Sequence, residues 1–248
     1  MTLGLDAMKD PARIPAVLDQ LRSTWEAQPD LELATLFGML ANRGIGWGSG
    51  DEQLIEALTA LRREHPAEVC GSARSAASGA GTTVTGRYLV ETEGPEHRIT
   101  IDPFRISVRR VPGRTRPGIW EYDRLRRCRA GEPLLITDAA GIDHRLGVVA
   151  RITLLDDAPR ADVNSLDGLH RREIGEAVFH LRFASGATAL LDHGLELYEV
   201  GRRAIGQRSI RWERLGTATP GQPLCVETRG GGVPEELGLL EQIVVLES

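Results

Sequence analysis

The chain contains little thiol chemistry. Its 248 residues include three cysteines, Cys70, Cys128 and Cys225, which are widely spaced and form no CxxC pair. An odd number of distant cysteines argues against a disulfide framework and against a cysteine-based zinc site, and it is typical of a reducing compartment. We therefore expect a cytoplasmic protein without a structural metal.

Lysine, aromatic residues and long apolar runs are also scarce. Lys9 is the only lysine among 30 basic residues, so Schiff-base chemistry and a P-loop lysine are almost excluded. Aromatic residues make up 4% of the chain. No apolar run approaches the roughly 18 residues of a membrane-spanning helix, and the first fifteen residues lack the apolar stretch of a signal peptide. The sequence predicts no membrane association.

Three stretches near the N-terminus have the apolar periodicity of amphipathic helices. The first follows Asp10-Pro11, a cap residue and a helix-starting proline, and the second ends before Gly44, which predicts a left-handed cap. The third begins at Asp51 and stops before Pro66. These stretches predict a three-helix bundle over residues 1–66. Its predicted core is formed by Ile14, Val17, Leu18, Leu21, Trp25, Leu33, Leu36, Phe37, Leu40, Leu54, Ile55, Leu58 and Leu61.

Part of this region resembles a known family. Arg13-Ile14, Trp25, Pro29-Asp30-Leu31 and Leu33 are similar to the W-x-x-x-P-D-L-x-L pattern of the YihD-like bacterial helical domains. The resemblance covers roughly residues 8–65, about a quarter of the chain, and the glycine-rich connection at 44–50 departs from it. It implies a bacterial helical module and assigns no activity to it. The rest of the chain carries no such resemblance.

The composition changes after residue 66. Residues 67–85 are rich in glycine, serine and alanine and are predicted to form a flexible linker. From residue 86 onwards, apolar and polar residues alternate in short runs of strand type. We predict a small antiparallel β barrel or sheet domain of about five strands at 86–155 and another at 177–248, since a bent barrel hides its edges. An acidic connecting segment at 156–176 joins them, and the fold class is α+β.

The two β segments carry the same landmarks in the same order. Trp120 is followed by Arg124-Leu125, and about ninety residues later Trp212 is followed by Arg214-Leu215. The next landmarks also recur, with residues 131–137 matching 221–228 and residues 146–152 matching 237–243. Ordered matches at nearly constant spacing indicate an internal duplication. We therefore predict two tandem copies of one β module, packed on each other.

Charge is distributed unevenly along the chain. Residues 1–66 carry a net charge of −4, residues 86–155 carry +4 and residues 156–248 carry −5, in a chain of net charge −5. A group of arginines in and around one basic stretch is the candidate site for nucleic acid or for an acidic protein surface, which includes the helical module itself. A solvated face paired with carboxylates is the alternative interpretation. The candidates are Arg109, Arg110, Arg114, Arg116, Arg124, Arg126, Arg127 and Arg129.

No motif predicts catalysis. The Gly44–Gly50 loop follows a helix rather than a strand and lacks GxxxxGK[ST], so it is interpreted as a cap and turn. Asp143-His144 and Asp192-His193 are acid–base pairs without a nucleophile elbow, and we interpret them as surface turns. We predict no catalytic residue, no metal site and no cofactor.

These observations favour a non-catalytic bacterial interaction or adaptor protein. Its expected partner is a protein, bound through the helical module or the β surfaces, and the chain itself can form an oligomer. One alternative is a nucleic-acid-binding regulator that uses the arginines. The other is an enzyme with a site between the two β copies, which a polar pocket at that junction with perturbed titratable groups would support.

Overall fold

The structure is a computed structural model that describes residues 10–73, 82–111, 115–157, 163–201, 205–228, 230 and 232–247. Three N-terminal helices are followed by two antiparallel β sheets, so the α+β class is confirmed. Arg114, one of the eight candidate arginines, lies outside the described residues.

The three predicted helices are present as α1 (Arg13–Glu26), α2 (Leu33–Asn42) and α3 (Asp51–Glu64). Their shared core consists of four leucines that are buried almost completely, Leu36, Leu40, Leu58 and Leu61. Gly44 adopts a φ of +82° after α2, the left-handed cap that the sequence predicts. Short loops therefore connect three amphipathic helices around one small apolar centre.

The predicted core stripe of α1 is only partly buried. Leu21 packs against the leucine core, but Ile14, Leu18 and Trp25 are 48%, 54% and 38% exposed. Phe37 of α2 is 51% exposed as well. The prediction that these four residues belong to the core is wrong. The face that α1 buries is rotated towards Thr24, whose hydroxyl donates to the Gln20 carbonyl one turn earlier.

The two ends of the predicted linker are ordered parts of the first β unit. Ser72–Ala73 (β1) pairs with Thr82–Thr83 (β2), and residues 67–69 run antiparallel to residues 128–130. Val69 and Val84 are buried in the barrel core. The flexible-linker interpretation is wrong at both ends. Burial of these two valines removes apolar surface from water, and this stabilises an ordered connection. Residues 74–81 lie outside the described part of the chain.

The first β unit is a closed barrel of six strands. In chain order these are β3 (Arg87–Glu93), β4 (His97–Ile101), β5 (Arg105–Arg110), β6 (Gly118–Arg127), β7 (Pro133–Asp138) and β8 (Asp143–Asp156). Each strand pairs with the next, and β8 pairs back with β3. Alternate side chains point inwards and fill the interior. The buried lining includes Val90, Ile99, Ile101, Ile106, Tyr122, Leu134, Ile136 and Ile152.

The second β unit is an open sheet of seven strands. These are β9 (Val178–Phe183), β10 (Thr188–Leu191), β11 (Leu195–Val200), β12 (Ile205–Ile210), β13 (Trp212–Leu215), β14 (Pro223–Thr228) and β15 (Glu235–Glu247). The order across the sheet is β12-β11-β10-β9-β15-β14-β13, so its two edge strands are consecutive in the chain and only Arg211 separates them. The sheet therefore curls back on itself.

Both units contain more strands than the five predicted for each, and they share one pairing scheme. In the first unit, β6 pairs with β5 through its first half and with β7 through its second half. In the second unit, β12 and β13 divide these two roles. Gly131 and Gly221, matched in the sequence, both have φ near +80 to +88° and both donate to β8 or β15. The two glycines and the Arg-Leu pairs therefore occupy corresponding positions. The match of Trp120 with Trp212 is wrong, because Trp212 pairs as Tyr122 does, whereas Trp120 pairs with β5.

The two β units pack directly against each other. Val178, Val244 and Leu246 on the outer face of the second unit contact Ile119 on the outer face of the first. The Thr100 hydroxyl donates to the carbonyl of Leu246 at 3.1 Å. This contact holds the C-terminal half of β15 against β4, and neighbouring residues of both strands line the cleft described below.

The helical module packs on the first barrel. His65, directly after α3, places Nδ1 3.2 Å from both the Ile152 carbonyl oxygen and the Thr153 hydroxyl. Arg63 contacts the carboxylate of Asp157 at the end of β8. Burial of the ring lowers the pKa of His65, while its contact with the Ile152 carbonyl opposes that shift. No helix in the described part of the chain is long and apolar enough to cross a membrane.

Candidate functional site

A polar cleft of about 820 Å³ lies where the two β units meet. This volume is within the range of small-molecule sites, roughly 300 to 1,000 Å³. The first unit contributes Arg98 from β4 and Arg109 from β5, and the end of β15 contributes Glu247. The remaining walls come from the segment at 171–178, the turn at 192–194 and the strand junction at 209–212. Six segments that are separated in sequence thus build one cavity.

The first wall is a cluster of two arginines around one carboxylate. Arg98 Nη2 lies 2.6 Å from Glu247 Oε2, and Arg109 contacts the other oxygen of the same carboxylate. Glu247 is 8% exposed. Burial, followed by repulsion from Arg98, lowers the pKa of Arg109 to about 10. Arg109 is therefore still charged at neutral pH, in a place where its charge is poorly solvated.

The opposite wall is held by a tight turn between β10 and β11. The Asp192 carboxylate accepts the backbone N–H of Gly194 at 2.6 Å, and the Asp192 carbonyl accepts the indole N–H of Trp212 at 2.9 Å. Arg171, in the 3₁₀ turn Arg171–Glu173, donates from Nε to the His193 carbonyl at 2.6 Å. These bonds hold the Asp192-His193 turn beside Trp212 and Arg171, which also line the cleft. The residues that we interpreted as a surface turn therefore form part of its wall.

A second, smaller cavity of about 120 Å³ shares Arg109 and Asp192 with the cleft. Arg110 and Glu196 also line it. Glu196 is buried and accepts the hydroxyl of Ser209 at 2.7 Å. Among the described lining residues of the cleft, Ser209 is the one hydroxyl side chain, and its hydroxyl is thus directed to a carboxylate rather than to a histidine.

His180 lies in the same inter-unit contact, on the outer face of β9. It is 6% exposed, and burial is the main reason that its pKa falls to about 4. Three arginines lower the pKa further: Arg116, Arg182 and Arg105. The ring is therefore neutral at physiological pH, because a proton on it would be buried among cations.

The structure distributes the candidate arginines over several surfaces. Arg109 is in the cleft, and Arg110 lines the smaller cavity. Arg126 lies 2.5 Å from Asp143, and Arg127 and Arg129 both lie within 4.0 Å of Glu132. Arg116 is exposed before β6, and Arg124 is exposed on β6. Arg116 and Arg127 lie near opposite ends of β6, whose ten residues span about 30 Å.

The seven described candidate arginines therefore do not form one continuous free surface, and at least four of them contact carboxylates. Binding of nucleic acid or of an acidic partner by this group stays a prediction. The cleft residues Arg171, Arg211 and Glu247 were missed by sequence reasoning. No local signal marks them, because they come from different strands and turns and meet only in the folded chain.

A second candidate surface is the exposed stripe of α1, formed by Ile14, Leu18 and Trp25. Successive helical residues are rotated by about 100°, so these three side chains fall within roughly 40° of one another around the helix. The indole N–H of Trp25 donates to the Leu31 carbonyl at 2.5 Å, which fixes the ring at the end of the stripe. Trp47, in the loop before α3, is fully exposed as well.

Comparison with known proteins does not extend these observations, since no protein-family model, curated protein or solved structure matches the chain. The resemblance of the N-terminal region to YihD-like domains stays a prediction.

Proposed function

We propose that this chain is a non-catalytic interaction protein that binds another protein through the exposed stripe of α1. The observation that carries the proposal is the stripe itself. Ile14, Leu18 and Trp25 are apolar, lie on one face of a regular helix, and are more than one-third exposed in the folded chain. A soluble helix places apolar residues on one face in order to cover them.

The spacing of the stripe favours a helical or extended apolar partner segment. Positions 14, 18 and 25 are separated by four and seven residues, the spacing of anchor residues in helix-mediated recognition. Trp25 adds a large amphipathic ring of the type that dominates interface energetics. The two β units, which we take as copies of one module, serve in this proposal as a rigid support for the helical module.

The test replaces Leu18 with aspartate. Leu18 is 54% exposed, so Leu18→Asp is expected to leave the fold intact, which the circular dichroism spectrum checks. Asp19→Asn is the matched control, because Asp19 is the next residue and points about 100° away around the helix. Burying a leucine at an interface contributes about 2 kcal/mol, so Leu18→Asp should weaken partner binding by at least about thirtyfold.

The partner is found with a photo-crosslinking residue placed at position 18 or, as the control, at position 19. A partner captured at position 18 is purified, and its affinity for the wild-type chain and both variants is measured. Light scattering on the purified full chain tests whether the partner is a second copy. The proposal is overturned if the captured partner binds Leu18→Asp as tightly as wild type, or if the chain is monomeric and position 18 captures nothing specific.

A further inference from the structure

The cleft between the β units contains more positive charge than its own carboxylates neutralise. Arg98 and Arg109 share the single carboxylate of Glu247, although Glu91 approaches Arg98 at 3.7 Å from outside the cleft. The Nε atoms of both arginines are buried, and no described residue accepts a hydrogen bond from them. The Arg109 side chain is 13% exposed, and a cation buried to this extent is costly unless it is paired.

Two more arginines line the cleft from the second β unit and the segment before it. Within the described residues, Arg171 forms its side-chain hydrogen bond through Nε alone, which donates to the His193 carbonyl. Arg211 is exposed at the junction between β12 and β13. No carboxylate among the described residues forms an ion pair with either guanidinium. Both therefore offer free N–H donors to the cavity.

The two carboxylates on this wall balance the charge of those two arginines, but among the described residues they form no ion pair with either of them. Asp192 is bound to the N–H of Gly194 in its own turn, and Glu176 is exposed without an ion pair in the described part of the chain. Four arginines thus face three carboxylates across the cleft. The free cations on the wall carrying Arg171 and Arg211 lie in a cavity that can hold a small molecule.

We propose that this cleft binds a small molecule bearing a multivalent oxyanion, either phosphate or polycarboxylate, through Arg171 and Arg211. A group with about two negative charges matches two guanidinium groups, and both phosphate and carboxylate accept paired N–H bonds from arginine. The Arg98–Arg109–Glu247 cluster adds a positive field from the first β unit. This site is independent of the α1 stripe, so either proposal can fail without the other.

The test is calorimetric titration of the full chain with inorganic pyrophosphate and, separately, with citrate, at constant ionic strength. Binding of either probe supports the site, and the probe that binds more tightly identifies the oxyanion chemistry. Sodium chloride at the same ionic strength is the blank. Absence of binding by both probes at about 10 mM would overturn the proposal.

The double variant Arg171→Gln with Arg211→Gln assigns any binding to the cleft. It should weaken probe binding by about tenfold or more, because charge-assisted hydrogen bonds from both side chains are lost. Arg172→Gln is the matched control: it is the next residue, its side chain is 78% exposed, and it is absent from the cleft lining. If the double variant binds normally, or if Arg172→Gln weakens binding equally, the cleft is not the site.

Discussion

Protonation of His180 should make the folded chain lose stability in mild acid. The unfolded chain titrates with a histidine pKa of about 6.5, whereas the pKa in the folded chain is about 4. The unfolded state therefore binds more protons between these values, and stability falls as pH falls. The penalty is absent well above pH 6.5, grows as the pH is lowered, and is complete below the folded-state pKa.

The expected size follows from the two pKa values. Each pH unit between them costs about 1.4 kcal/mol, so lowering the pH from 7 to 5 should remove about 2 kcal/mol through His180 alone. His65 acts in the same direction, since its pKa is also lowered in the folded chain. A difference between wild type and a His180 variant isolates the contribution of His180, because His65 is present in both proteins.

The assay is urea unfolding of wild type and His180→Gln at pH 7 and pH 5. The variant is expected to lose about 2 kcal/mol less than wild type over this interval. His193→Gln is the control, because it makes the same substitution at an exposed histidine in a turn. An identical pH dependence for wild type and His180→Gln would refute the reasoning that burial near three arginines suppresses protonation.

Two further predictions concern the contact between the β units and the packing within the first barrel. Glu247→Gln removes the carboxylate that Arg109 contacts. The buried guanidinium then lacks its charge partner, which should lower the free energy of unfolding by about 3 kcal/mol. Glu241→Gln, which breaks an exposed ion pair, is the control and should change that free energy by less than about 1 kcal/mol. Equal effects in urea titrations would contradict the assigned role of Glu247. Gly147→Ala should be more destabilising than Gly131→Ala, although both glycines have positive φ. A Cβ at 147 would lie 2.7 and 2.8 Å from two backbone oxygens, whereas a Cβ at 131 meets nothing within 4 Å and costs only about 1 kcal/mol of conformational strain. Similar melting temperatures for the two variants would exclude the proposed clash.

The linker prediction shows where composition misleads. Residues 67–85 are dominated by small residues, and composition averages over the few apolar ones among them. Val69 and Val84 are nevertheless buried in the first barrel. A valine in a polar segment has no periodicity of its own, so its burial depends on a surface supplied by remote strands. The two valines can be read from the sequence, but the barrel surface that buries them exists only in the folded chain.

The sequence alone determined the local elements and the order of the two β units. Helix periodicity and cap glycines such as Gly44 act within one or two turns, and recurring turn glycines such as Gly131 and Gly221 need only a positive φ at that position. These features depend on near neighbours and can be read from the chain. Which side of α1 is buried depends on where α2 and α3 pack, and periodicity alone placed Leu18 on the wrong side.

Only the tertiary structure decided the candidate sites. The cleft joins Arg109, Arg171, Arg211 and Glu247, which are separated by up to 138 positions in the sequence. The pKa of His180 likewise depends on arginines from other strands. Charge and burial act through space rather than along the chain, so residues that look like ordinary polar positions in sequence become a site once folding removes water and brings them together.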